Sequence, residues 1–174
     1  TATYPSRFML VAAMNPCLCG YFGDRNHSCR CTPQQIRQYQ GRISGPLLDR
    51  IDIHVEVPAV RYRELTARET GESSAAIKAR IERARKIQRQ RFNGDDTLFN
   101  ARMSDRQVRT VCPLDEESRQ LIEMAIDRLG LSARAYSRIL KVARTIADLE
   151  GEPALRPSYV AEAIQYRSLD RRLI

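Results

Sequence analysis

The sequence predicts a mostly helical chain with a small β component. Three features point there. Two short strand-like runs are confined to the first 60 residues. Apolar residues recur at spacings of three and four from Ser73 onward. Serine or aspartate heads most of those periodic segments, where helix N-caps belong.

Taken in order, Arg7-Phe8-Met9-Leu10-Val11-Ala12-Ala13-Met14 is continuously apolar after its first residue and closes on Asn15-Pro16, which reads as a buried strand. A cysteine-rich loop, residues 16–32, leads to a helix expected over residues 33–42. Gly45-Pro46 then breaks the chain before Leu47-Leu48-Asp49-Arg50. Ile51-Asp52-Ile53-His54-Val55-Glu56-Val57 alternates apolar with polar and stops at Pro58, the pattern of a half-buried strand.

From Ser73 the pattern is helical. Ser73 or Ser74 caps a helix with Ile77, Ile81, Ala84 and Ile87 on one face, ended by Gly94-Asp95-Asp96. Ser104-Asp105 caps a short helix before Pro113. Asp115-Glu116-Glu117 puts acid in the first turn of the next, whose stripe is Leu121, Met124, Ala125 and Leu129, closed by Gly130. Ser132 caps a long helix with Ala135, Ile139, Val142, Ala143 and Ile146 inward, before Gly151. Pro157-Ser158 begins a last helix with Val160, Ala163 and Ile164 inward.

The chain has 174 residues and a net charge of +8, with 43% hydrophobic and 29% charged residues, so wholesale disorder is excluded. No apolar run approaches the ~20 residues of a membrane-spanning helix. A start at Thr1 without Met reads as part of something longer. The excess charge is local: residues 61–109 carry 13 basic and 7 acidic side chains, whereas residues 110–174 carry 10 of each. Within residues 78–91, seven basic side chains face the single Glu82. Lys78, Arg85 and Arg89 are the candidate nucleic-acid contacts there. A solvated helix face is the alternative.

Cys17-x-Cys19 and Cys29-x-Cys31, with His27 just before the second pair, are the loudest local signal. Four thiolates in two close pairs can supply a tetrahedral structural zinc site and order a loop with little core of its own. Disulfides and buried small apolar residues are the competing readings. The single residue inside each pair is less usual for zinc than two. Cys112, alone before Pro113, reads as core.

Asn15 closes the first strand; it is either a turn former or a polar group presented at a sheet edge. Arg50 sits at an element boundary. Arg134 lies near a helix N-terminus, where the helix dipole disfavours positive charge and a phosphate would offset it. For both arginines a surface salt bridge is the alternative.

These pieces together resemble a known family. Phe8-Met9-Leu10-Val11-Ala12-Ala13-Met14-Asn15-Pro16-Cys17, Ile43-Ser44-Gly45-Pro46-Leu47-Leu48-Asp49-Arg50-Ile51-Asp52-Ile53, Leu131-Ser132-Ala133-Arg134-Ala135-Tyr136 and Ala143-Arg144-Thr145-Ile146-Ala147-Asp148-Leu149 are similar, in order, to the C-terminal part of the YifB/ComM family, bacterial magnesium-chelatase-like AAA+ ATPases. The resemblance implies residues 1–60 as the end of an AAA+ α/β core, 61–72 as a linker and 73–174 as a helical lid. It implies Asn15 as sensor 1, Arg50 as an arginine finger acting in trans, and Arg134 as the sensor-2, nucleotide-contacting arginine, with Arg138 a lesser candidate. Positioned guanidinium groups stabilise the charge of phosphoryl transfer.

The resemblance further implies ATP and Mg2+ in a longer protein, a homo-oligomeric ring expected to be a hexamer, DNA as partner, and helicase or branch-migration activity in recombination or transformation. A cytoplasmic location without membrane association is expected. No Gly-x-x-x-x-Gly-Lys-Ser/Thr loop or acidic Walker B cluster occurs in the chain, so the segment alone is expected not to hydrolyse ATP. Two alternatives stand beside the DNA motor: an ATPase subunit of a metal-chelatase-type complex, and a non-enzymatic, zinc-ordered nucleic-acid-binding module.

Overall fold

The computed structural model describes residues 2–4, 8–58, 60, 71–95 and 97–167. These form two compact units, Thr1–Arg42 and Ile43–Ile174. Among the described residues there are seven α-helices and no strand.

The first unit contains α1, Pro33–Gln40. Thr32 caps it: its hydroxyl accepts from the Gln35 amide, and the Gln35 side chain accepts from the Thr32 amide. Pro33 stands in the first turn, where no backbone donor is missed. Cys17 is the only buried residue among those described in this unit.

The strand expected over residues 7–14 is not formed. Arg7 lies outside the described residues; residues 8–14 have no regular structure, and Phe8, Met9 and Val11 are exposed. A strand needs a neighbouring row of amides and carbonyls, and none of the described residues supplies one.

In the second unit α2, Gly45–Leu48, follows Ser44. Gly45-Pro46 therefore opens a helical turn instead of breaking the chain, because proline's fixed φ suits a first turn. The strand expected over residues 51–57 is also absent, and its alternation is inverted. Ile53, Val55 and Val57 are exposed while His54 is buried. The reason lies in what holds the segment. The Arg167 guanidinium donates to the Ile51 carbonyl, and the His54 amide donates to the Tyr166 carbonyl at 2.8 Å. Residues 49–54 are a strap laced to the turn at Tyr166 and Arg167, not a strand paired in a ladder.

Five helices complete the unit: α3 (Ser74–Arg91), α4 (Asp105–Val111), α5 (Glu116–Leu129), α6 (Ala133–Glu150) and α7 (Pro157–Gln165). Ser73, Ser104, Asp115 and Ser132 cap α3 to α6 as their positions predict, each accepting from an amide three residues on. Gly130 and Gly151 end α5 and α6 with φ of 60° and 75°, conformations an L side chain resists. α6 is central: it packs on α3, α4, α7 and a 3-10 turn at Asn100–Arg102, while α5 packs on α7. Ala135, Ala143 and Ala147 on its inner face are fully buried and let the partners approach closely. Ile122, Leu129, Ile139, Leu140, Leu155 and Val160 fill the space between.

Two apolar faces differ from expectation. On α5 the inner face is Ser118, Ile122, Ala125 and Leu129, and Met124 is exposed. On α3 only the C-terminal half is covered: Ala84 and Gln88 are buried, while Ile77 and Ile81 are exposed. Cys112 is core as expected; burial pushes its thiol up to about 11.

Candidate functional site

A polar cluster lies where α6 begins. Ser132 does two things there. Its hydroxyl accepts from the Ala135 amide at 3.2 Å and donates to Asp49 Oδ1 at 2.8 Å. Asp49 also faces Arg167, whose Nη2 stands 3.6 Å from the same oxygen. Asp52 pairs with Arg138, one turn along α6 from Arg134. The strap thus meets, through Asp49, the residue that caps Arg134's helix, and Arg50 follows Asp49 in the chain.

The two arginines differ in what they touch. Arg50 is exposed, with Nη1 donating to the Pro46 carbonyl at 2.6 Å. Arg134 is exposed on the first turn of α6, with no ion pair or hydrogen bond among the described residues. It lines an open cleft of about 300 Å³ together with Ala101, Asp105, Ser137, Arg138 and Lys141. Lys141 is tied to the Ala101 carbonyl at 3.2 Å and Arg138 to Asp52, so Arg134 is the cation of that cleft left to an incoming anion. Asn15 is exposed and belongs to the other unit, immediately before the cysteine loop.

Much of the basic helix is answered from within the chain. Arg80 meets Glu72 in a bidentate pair at 2.9 and 3.0 Å. Arg85 lies over the Phe99 ring at 5.0 Å, and Lys78 stands 3.9 Å from Glu82. Arg91 turns inward altogether. Its guanidinium grips the Asp148 carboxylate at 2.5 and 2.7 Å. Arg83, Lys86 and Arg89 are exposed on the same helix. Residues 61–70, part of the basic segment and of the expected linker, lie outside the described residues.

That inward arginine belongs to a buried network the spacing of apolar residues does not announce. Asp148, 1% exposed, accepts from Arg91, from Arg144 Nε at 3.1 Å and from Asn100 Nδ2 at 2.7 Å. Arg144, 2% exposed, also donates to the carbonyls of Glu152 and Pro153. The sequence signal for it is Arg144 and Asp148 one helical turn apart on a face otherwise apolar.

In the first unit the four paired cysteines converge. Cys17 Sγ is 3.4 Å from Cys19 Sγ and 3.7 Å from Cys29 Sγ, and Cys19 and Cys29 are 3.6 Å apart. With Cys31 included, all four sulfurs lie within 4.8 Å of one another, and none is in a disulfide. His27 is not in the group; it stacks on Tyr21 at 4.8 Å and faces Asp24. Backbone amides aim at the sulfurs. Those of Tyr21 and Arg30 hold the Cys19 thiol down to about 6. At Cys29 the Cys31 amide favours the thiolate, but desolvation and the neighbouring Cys19 and Cys17 sulfurs outweigh it and push the thiol up to about 12.

The class is defined by comparison with known proteins. Residues 71–167 match the family model of the C-terminal domain of magnesium chelatase subunit ChlI, and residues 1–65 match the model of magnesium chelatase subunit ChlI. The chain belongs to this magnesium-chelatase-like family of AAA+-type ATPases, and within it to the C-terminal part of the YifB/ComM group.

Among its relatives, it is 41% identical to Competence protein ComM of Haemophilus influenzae over 171 residues, which cover 98% of this chain and 32% of that protein. It is 43% identical to Uncharacterized protein YifB of Escherichia coli over 173 residues, covering 99% and 33%. An uncharacterized protein of Mycobacterium tuberculosis, Rv2897c, is 34% identical over 171 residues. The chain spans about a third of the length of these relatives. No helix among the described residues is long and apolar enough to cross a membrane.

Proposed function

We propose that this chain is the lid-bearing part of an ATP-driven ring, a hexamer in our reading, that remodels DNA by helicase or branch-migration activity. The observation that carries the reading is Arg134. It is an exposed guanidinium with no partner among the described residues, on the first turn of a capped helix, and the family resemblance makes it our candidate for the sensor-2 arginine. In this reading Arg134 contacts the γ-phosphate of its own subunit's nucleotide. Arg50 leaves the Pro46 carbonyl to reach the neighbouring subunit's site, and Asn15 orients the attacking water. Bound Mg2+ would neutralise phosphate charge, held by residues of a longer protein together with the nucleotide. The relative named Competence protein ComM is in line with the transformation side of this reading.

A second reading keeps the ATPase and changes the client to a metal-chelatase-type complex. The family description favours it, and so does the internal ion pairing of Arg80 and Arg91, which leaves α3 less charge for phosphate than its composition suggests. ATP turnover by a protein of the relatives' full length, measured with and without forked or single-stranded DNA, separates the two. DNA stimulation, with turnover lowered roughly 10³-fold or more in Arg50→Ala and in Arg134→Ala, is the expected result. Turnover indifferent to DNA moves the assignment to the chelatase-type client. Turnover unchanged by both substitutions overturns the assigned roles. Replacing Lys78, Arg85 and Arg89 together should flatten the salt dependence of DNA binding if α3 touches phosphate.

A further inference from the structure

We propose that Cys17, Cys19, Cys29 and Cys31 bind a single zinc ion in a closed four-thiolate site that holds residues 16–40 folded. The sulfur positions carry the proposal. A tetrahedral ion with Zn–S bonds of about 2.3 Å separates its sulfurs by about 3.8 Å. The separations of 3.4, 3.6 and 3.7 Å approach that edge, and the fourth sulfur lies within 4.8 Å of the others. A disulfide would bring two of them to about 2 Å. An iron–sulfur cluster interposes several atoms and would hold the cysteine sulfurs farther apart.

The surroundings fit the same ion. Backbone amides of Phe22 and Cys19 serve the Cys17 sulfur, and those of Tyr21 and Arg30 serve Cys19. Such donors orient metal thiolates and spread their charge. Gly20 and Gly23, both at φ of 84°, let the chain turn sharply enough to bring the second pair back. Between the pairs, Asp24 accepts from the amides of Asn26 and His27 at 2.6 and 3.1 Å and shapes the turn.

The energetic need is plain as well. Cys17 is the only buried residue among those described in its unit, so no hydrophobic core is available to order a segment this short and polar. The segment is nevertheless closed at both ends. Cys31 runs directly into the capped start of α1, and Gln40 Nε2 at its end donates to the Pro16 carbonyl at 3.0 Å. With four protein ligands the ion has no open position, so the site is structural and not catalytic. Asn15 immediately precedes this loop, which gives the ion a second consequence: it fixes the backbone next to that residue.

The test uses the whole chain. Elemental analysis after purification in reducing buffer should find one zinc per chain, unchanged in Cys112→Ser and absent in Cys29→Ser/Cys31→Ser. Replacement by cobalt should give intense thiolate-to-cobalt charge-transfer bands and the d–d bands of a tetrahedral sulfur site. Circular dichroism of the double variant should keep the helical signal of the second unit, while protease cleavage within residues 16–32 accelerates at least tenfold. Absence of stoichiometric metal, stoichiometric iron with broad visible absorption, or cysteines mapped as disulfides under reducing purification would each overturn the proposal.

Discussion

The two units of this chain are held in opposite ways. Ile43–Ile174 buries sixteen apolar residues in one cluster around α6 and then places an ionic network beside them. Thr1–Arg42 buries one described residue, a cysteine, and leaves Phe8, Met9 and Val11 in solvent. Cohesion in the larger unit grows with apolar area. In the smaller one it rests on four sulfur atoms and a closed loop. Damage to the two should therefore look different: cooperative melting in one, loss of a bound ion in the other.

The largest effect is expected at Asp148. Its carboxylate, 1% exposed, answers both the half-buried Arg91 and the 2% exposed Arg144, so Asp148→Ala leaves the buried Arg144 guanidinium without its counter-charge. A loss of about 3–5 kcal/mol is expected, read as a lowered midpoint in urea. Metal content of the cysteine loop should stay the same in that variant. A loss below about 1 kcal/mol would mean that Arg91 and Arg144 find water or new partners. The burial argument would then fail for this network.

Alkaline pH sharpens the contrast next. The Cys112 thiol is pushed up to about 11 by burial, against an ordinary value of 9.0. The unfolded chain therefore loses this proton first. The contribution of this thiol should be flat below about pH 9 and fall between about 9 and 11 as the unfolded form ionises alone. Cys112→Ala should remove that part of the slope, and an unchanged slope would assign it to other groups. Alkylation at pH 8 gives the companion measurement: the native chain should hide Cys112, while a strong chelator should expose the other four thiols and leave Cys112 unreacted.

How legible each region was follows from the range of its interactions. Helix starts at Ser73, Ser104, Asp115 and Ser132, and ends at Gly130 and Gly151, could be read because a cap is made with residues three or four positions away. The cysteine cluster was readable for a related reason: two close pairs need only a loop to meet. Strands over residues 7–14 and 51–57 were misread because their pattern specifies a pleated face but not a partner, and none of the described residues provides one. The strap was hidden too. Asp49 and Ser132 are 83 residues apart, and nothing local in Leu47-Leu48-Asp49-Arg50 points to a helix cap. Asp148 stands 57 residues from Arg91 and 48 from Asn100, so their meeting is a property of packed helices and not of any window of sequence.

The smallest expected effect is at Ser132, where the cap and the strap share one hydroxyl. Ser132→Ala removes both and should cost about 1 kcal/mol, mostly the unsatisfied helix amide. Ser132→Thr keeps both and should be nearly silent. Ser132→Asp is the informative change. An aspartate caps as well as serine and suits a helix N-terminus, yet it sets a carboxylate against Asp49. The helix should stay as stable as before while the strap loosens, seen as faster hydrogen exchange at the amides of Leu48, Asp49 and Arg50 with an unchanged melting midpoint. If those amides exchange no faster, the Arg167 contact alone suffices to hold Asp49. The hydroxyl would then serve its helix and nothing else, and the position of the strap at Asp49 would owe nothing to Ser132.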